Sequence, residues 1–299
     1  MAKAIRIILL VAAVILPRDL LAAEAVKLRP LAPIYVDSKG GGIRQPEGVG
    51  CSGKSLLVVA DTGNGRLLTY AISGDAAVSK AEIALPQLPY PIKVQSDSKG
   101  EILALDGKSR RIVRISPSGE FKGYVDAGGV TGTVVPRSFR VDGDDTLYVL
   151  DIFSGRLIVA DPSGKVLREI PFPKDAGFFS DLAVDRKGNV FLVDSAGKRV
   201  FVAKKGANEI VALTANIGED VDFPTSIAVD DRGRLFVGDQ NGGGIVVFGS
   251  DGTFRGRHLA MGWKESFLRY PSEVCITASG ILYVADRGNN RVQAFLITE

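Results

Sequence analysis

"PTSIAVDDRGRLFVGD", Pro224 to Asp239, reads as proline, two small polar residues, a short apolar run, an Asp-x-x-Gly turn, a second apolar run and an aspartate. Two apolar runs of strand length around a tight turn make an antiparallel pair. The closing aspartate recurs at Asp61, Asp106, Asp151, Asp194, Asp239 and Asp286, at intervals of 45, 45, 43, 45 and 47 residues. Five residues after it stands an arginine (Arg66, Arg111, Arg156, Arg199 and Arg291), with Gly244 as the one exception. The opening slot holds Pro46, Pro91, Pro136, Phe179, Pro224 and Pro271. A period in the mid-forties marks a repeated supersecondary unit that cannot bury its faces alone.

After each Asp-to-Arg loop comes a third apolar run, such as Ile245 to Phe248, then a Gly turn and a fourth. Six units of four antiparallel strands predict an all-β, six-bladed β-propeller. The last unit has room for only three strands, so an N-terminal strand, expected within Leu31 to Val36, closes the ring. Composition agrees: 35 glycines and 14 prolines punctuate short Val/Ile/Leu runs in 299 residues. The net charge of +3 is dispersed, which argues against a nucleic-acid partner.

Residues 1–25 differ in kind. Lys3 and Arg6 precede the apolar stretch Ile7 to Leu16, followed by Pro17 and a small-residue segment at Ala23 to Ala25. This reads as a secretory signal peptide, too short to span a bilayer. The expected organisation is a signal peptide, 1–25, and one propeller domain, 26–299. The mature chain is expected to be a periplasmic or extracellular monomer without a membrane span.

The pattern resembles the NHL-repeat family of six-bladed propellers, whose units carry a Pro-x-Gly-Val-Ala-Val-Asp strand, a Val-Ala-Asp end and an Asn-x-Arg start to the next strand. The resemblance implies the propeller fold over the whole mature chain. It does not fix a chemistry, because such propellers serve as protein platforms, RNA-binding modules and lyases. The lyases work through several histidines, and this chain has one, His258. No cofactor and no metal are expected.

The repeated Asp–Arg pairs (Asp61 with Arg66, Asp106 with Arg111, Asp151 with Arg156, Asp194 with Arg199, Asp286 with Arg291) are expected to staple their loops. Departures from the repeat are then where a site belongs. The slots after the proline bring Lys93, Arg137, Asp181 and Glu273 to the mouth of the central channel. They form either a mixed-charge binding pocket or a set of mutually neutralising charges. On the same rim lie Gln240 and Asn241, before three consecutive glycines, Gly242 to Gly244, and the segment with the single tryptophan, Trp263 and Lys264. The glycine loop is either mobile and open to a ligand or simply irregular. Cys51 and Cys275 fall on the inner strands of blades that become neighbours on closure, as a ring-closing disulfide or as two small buried residues.

The reading that follows is a non-catalytic platform whose rim engages another exported protein, a peptide or a glycan. Its alternative is a metal-dependent hydrolase resembling six-bladed lactonases, with carboxylates from Asp181, Glu273 and Glu47 at the channel mouth. Those lactonases also use asparagine, which none of the aligned channel slots holds.

Overall fold

The computed structural model describes residues 26–53, 55–125 and 129–299. The expected signal peptide lies outside them. Six four-stranded antiparallel sheets follow one another around a ring. Blade 1 comprises β2 (Gly48–Cys51), β3 (Leu56–Asp61), β4 (Arg66–Ser73) and β5 (Ala76–Ile83). Blade 2 comprises β6 (Pro91–Ser96), β7 (Ile102–Asp106), β8 (Arg111–Ile115) and β9 (Phe121–Val125). Blade 3 runs through β10 (Pro136–Val141), β11 (Leu147–Asp151), β12 (Arg156–Ala160) and β13 (Val166–Pro171). Blade 4 has β14 (Phe179–Val184), β15 (Val190–Asp194), β16 (Arg199–Ala203) and a short β17 (Val211–Ala212), and blade 5 has β18 (Pro224–Val229), β19 (Leu235–Asp239), β20 (Gly244–Phe248) and β21 (Phe254–His258).

Blade 6 takes β22 (Pro271–Ile276), β23 (Ile281–Asp286) and β24 (Arg291–Thr298), and its outer strand is β1 (Lys27–Pro30), paired antiparallel with β24. Closure therefore uses residues just before the expected Leu31–Val36 stretch. Within that stretch the Leu31 N–H donates to the Ala294 carbonyl and Ile34 makes an isolated bridge to Val292, while Val36 bridges to Gly42; Pro33 has no N–H to extend the ladder. A disulfide between Cys51 and Cys275, Cα atoms 5.8 Å apart, joins the first inner strand to the last.

The core lies between the blades. Each apolar cluster draws on two neighbouring sheets, as where Leu150 and Leu157 of blade 3 meet Phe179, Leu182 and Phe201 of blade 4. Inner strands approach closely at blades 1 and 2, where a Cβ on Gly50 would sit 2.5 Å from the Val94 carbonyl oxygen. Only glycine fits there.

Each repeated aspartate is buried and does more than staple its own loop. Asp61, Asp106, Asp151, Asp194, Asp239 and Asp286 accept backbone N–H groups from the segment leading into their own blade's inner strand, 16 or 17 residues upstream. A buried carboxylate thus satisfies loop amides that have no strand partner. Its arginine lies close in blades 1, 3 and 6 (2.7, 3.0 and 2.7 Å), and at 3.9 Å in blade 4, where Arg199 turns to Asp175. In blade 2, Arg111 stacks over the Tyr124 ring.

Blade 5 keeps the contact by another route. Arg257 reaches from the outer strand to Asp239, Nη1 to Oδ2, at 2.8 Å. Burial opposes the charge on Asp239, but the Phe223 and Asp222 amides and Arg257 outweigh it and hold its carboxyl below the usual range. A Cβ on Gly244 would press on the Arg257 guanidinium, and side chains at Gly242 and Gly243 would strike Asp239 and Met261. The triple glycine is therefore a close-packed turn, not an open ligand loop. Arg257→Ala is expected to cost roughly 1–3 kcal/mol, as for one charge-assisted hydrogen bond to a buried carboxylate. Gly244→Arg in that background should restore the loss, measured by urea denaturation. No recovery would mean that an arginine in the repeat slot cannot stand in for Arg257 at Asp239.

Candidate functional site

Five of the six inner strands carry a bulge directly after the proline slot, between Pro91 and Lys93, Pro136 and Ser138, Phe179 and Asp181, Pro224 and Ser226, and Pro271 and Glu273. An extra residue re-aims the local side chains. Here the bulged residues (Ile92, Arg137, Ser180, Thr225, Ser272), with Glu47 of blade 1, line the upper mouth of the channel. The residues one position on form a deeper layer.

That deeper layer alternates. Blades 2, 4 and 6 contribute Lys93, Asp181 and Glu273, whereas blades 1, 3 and 5 contribute Gly48, Ser138 and Ser226. Small residues in every second blade leave room for three long side chains near the axis. Lys93 Nζ donates to Asp181 Oδ1 and Glu273 Oε2. From two residues further along blade 3, Arg140 donates through Nη2 to Glu273 Oε1 at 2.6 Å and Asp181 Oδ2 at 3.2 Å, and through Nε to the Leu182 carbonyl at 2.8 Å. Ser138 Oγ and the Ile227 amide complete Asp181, at 2.6 and 3.0 Å.

All four charged residues are at least 93% buried. Burial opposes ionisation of Asp181, but Lys93 and Arg140 outweigh it and hold its carboxyl low. Glu273 goes the other way, raised by burial and by the Asp181 charge. Burial and the neighbouring Arg140 lower Lys93. Of the four charges expected at the mouth, Lys93, Asp181 and Glu273 are thus brought together and mutually paired, with Arg140 as a fourth member that the sequence reading missed. Arg137 stands apart from them.

Above this plug lies a cavity of about 270 Å³ whose floor includes Lys93 and Glu273. Glu47 sits on its wall, 2.9 Å from Arg287 through Oε1 and Nε. Burial raises the Glu47 carboxyl above its ordinary value, and the nearby Arg287 and Arg137 only partly offset this. Two guanidinium nitrogens beside the same cavity, Nη1 of Arg110 and Nε of Arg137, are buried and make no hydrogen bond among the described residues, and the same holds for Thr225 Oγ1. Burial and repulsion from Arg110 work against the Arg137 charge, more than the surrounding carboxylates support it.

A collar of half-exposed rings, Tyr90, Phe178 and Phe223, lines the cavity. Each directly precedes its blade's proline slot, a position that Tyr270 fills in blade 6. That regular placement was the available sequence signal, and it was missed.

The rim residues fare differently. Gln240 lines the cavity, and Asn241 beside it is exposed. Trp263 is 77% exposed and does not line the cavity, and the Lys264 carbonyl accepts from Arg291 Nη2 at 2.7 Å. His258 lies on β21 at the outer edge of blade 5.

A divalent cation does not fit this donor set. No group of three or more His, Cys, Asp or Glu residues is arranged to hold a metal ion among the described residues. Asp181 and Glu273 are occupied by Lys93 and Arg140, and Glu47 by Arg287.

A family model for the NHL repeat matches residues 268–295. Over 133 residues the chain is 32% identical to peptidyl-alpha-hydroxyglycine alpha-amidating lyase 1 of Drosophila melanogaster, covering 38% of this chain and only 24% of that protein. The solved structures that resemble it include a gluconolactonase from Xanthomonas campestris (TM-score 0.67, 14% identity, 92% of this chain and 98% of that one). Virginiamycin B lyase from Staphylococcus aureus is another (TM-score 0.61, 15% identity, 92% and 89%). At such identities the likeness establishes the fold. The expectation of a non-catalytic platform is nevertheless overturned: these similar proteins are two lyases and a lactonase, and the alternative, a metal-dependent lactonase-like hydrolase, accords better with them in being an enzyme. With the family model on the last blade and the same phrase in register through the other five, the chain is an NHL-repeat six-bladed β-propeller.

Proposed function

We propose that the protein is a hydrolase of small lactones or esters, working in the cavity above the channel plug without a divalent metal. The observation that carries this reading is Glu47, a carboxyl raised by burial on the wall of a polar cavity. Such a group is suited to take up and return a proton. In the reaction, Glu47 takes a proton from a water molecule as the water oxygen bonds to the substrate carbonyl carbon. The Thr225 hydroxyl, on the same cavity, faces the charge that develops on the carbonyl oxygen. The C–O ester bond then breaks, and the leaving oxygen recovers the proton from Glu47. The paired plug below keeps the floor rigid.

The Cys51–Cys275 disulfide supports placing the protein in an oxidising compartment, in line with export.

The test is hydrolysis of a panel of small lactones and aryl esters, followed by acid release across pH. The base must be ionised, so kcat/KM should rise with pH through an acid limb above the ordinary glutamate value of about 4.3. Because Arg287 lowers the Glu47 carboxyl, Arg287→Gln should move that limb further up. Chelator should leave the rate unchanged. No turnover across the panel, or a limb unmoved by Arg287→Gln, would overturn the assignment.

A further inference from the structure

The residue just before the repeated arginine slot has left-handed backbone in every blade: Gly65, Arg110, Gly155, Lys198, Gly243 and Asn290, with φ between 49° and 64°. Glycine or asparagine adopts this conformation readily, and long side chains do so at a cost. Three blades use glycine and one asparagine. Blade 2 instead places an arginine there and sends it to the cavity, where its Nη1 is buried without a hydrogen-bond partner among the described residues.

Arg137, on the neighbouring blade, brings a second guanidinium to the same cavity with its Nε equally unpartnered. Two adjacent cations repel, and each has a buried donor without a hydrogen-bond partner among the described residues. Backbone strain, lost hydrogen bonds and like-charge repulsion coincide on one wall. The last two are relieved by one ligand group: an anion with two acceptor oxygens in a plane.

We infer that Arg110 and Arg137 form a carboxylate clamp, so that the substrate is a lactone or ester that also bears a free carboxylate. This rests on the hydrolase reading for the word substrate, though the clamp itself does not. Tyr90 and Phe178 line the same cavity. Phe178 already faces the Arg137 guanidinium at 5.8 Å, and these rings suit the apolar face of a ring-shaped acid, whether a sugar acid or an aromatic one. Glu47, which lines the same cavity, repels a second carboxylate, so one acidic group is accepted and oriented.

Titration calorimetry with glucuronate and benzoate, each against its primary amide, tests the clamp. At least one acid should bind, with its amide roughly ten- to a hundredfold weaker. Arg110→Asn and Arg137→Gln should each weaken acid binding by a similar factor. Arg110→Asn should melt at the same temperature as the parent or higher, because asparagine is easier in left-handed backbone, and so a folding failure does not confuse the result. Lys198→Asn, the same change in blade 4 away from the cavity, should leave binding unchanged. Binding of neither acid, equal binding of acid and amide, or undiminished binding in both arginine variants overturns the clamp. Acid binding without any ester turnover would keep the clamp and remove the hydrolase. Turnover of neutral lactones with no preference for acids would do the reverse.

Discussion

Asp181→Asn is expected to lower the melting temperature by roughly 6–10 °C, the equivalent of about 3–5 kcal/mol for breaking one member of a buried ionic network at some 2 °C per kcal/mol in a domain of this size. The side chain keeps its shape: with the amide oxygen toward the Ile227 N–H, the Ser138 hydroxyl can turn to accept from the amide NH2. What is lost is a charge. Lys93 and Arg140, both buried, are left sharing Glu273 alone. The cost is therefore an uncompensated buried cation, not the value of the intact network. The corollary separates the two. Replacing all four members together, as Lys93→Met, Arg140→Met, Asp181→Leu and Glu273→Leu, should melt closer to the parent than the single variant does, because no charge is then stranded. Differential scanning calorimetry on the two variants decides the matter. A single variant that melts with the parent would mean that water reaches the plug.

The same residues mark how far the sequence could be read. The blades were legible because every interblade interface needs apolar residues at the same positions, and because the buried aspartate must recur wherever a rim loop would otherwise leave amides unpaired. Lys93, Asp181 and Glu273 stood out as charges in a slot that is small in the other blades. Their pairing was not legible, since it depends on distances across the channel between residues 88 and 180 positions apart in the chain. Arg140 was missed because it enters the same network from a deeper layer of its strand. Arg110 occupies a slot whose meaning is conformational: only the positive φ common to all six blades shows that an arginine there is out of place. The rim tryptophan attracted attention by rarity, but rarity carries no geometry. Trp263 stands away from the cavity, which is built from commoner residues.

Glu47→Gln should reduce kcat on the best ester or lactone of the panel by roughly 10²–10⁴, the usual contribution of a positioned proton-transfer group. KM should change little, and for an acidic substrate it should fall, because a negative charge leaves the wall that carries Arg110 and Arg137. Gln matches Glu in size, and Arg287, the residue it loses as an ion-pair partner, is partly exposed at the rim and free to turn to water. The fold should therefore tolerate the change, with a melting temperature within a few degrees of the parent. This combination of lost turnover, retained or tighter binding and intact stability is specific to a proton-moving role. A carboxylate that only oriented Arg287 would lose binding and turnover together, and its kcat would recover in Glu47→Asp at any pH. If Glu47 acts as the base, Glu47→Asp should instead retain a rate that rises with pH along an acid limb of its own, while Glu47→Gln shows no such limb. A rate for Glu47→Gln within threefold of the parent would remove Glu47 from the reaction and with it the hydrolytic mechanism proposed for the cavity.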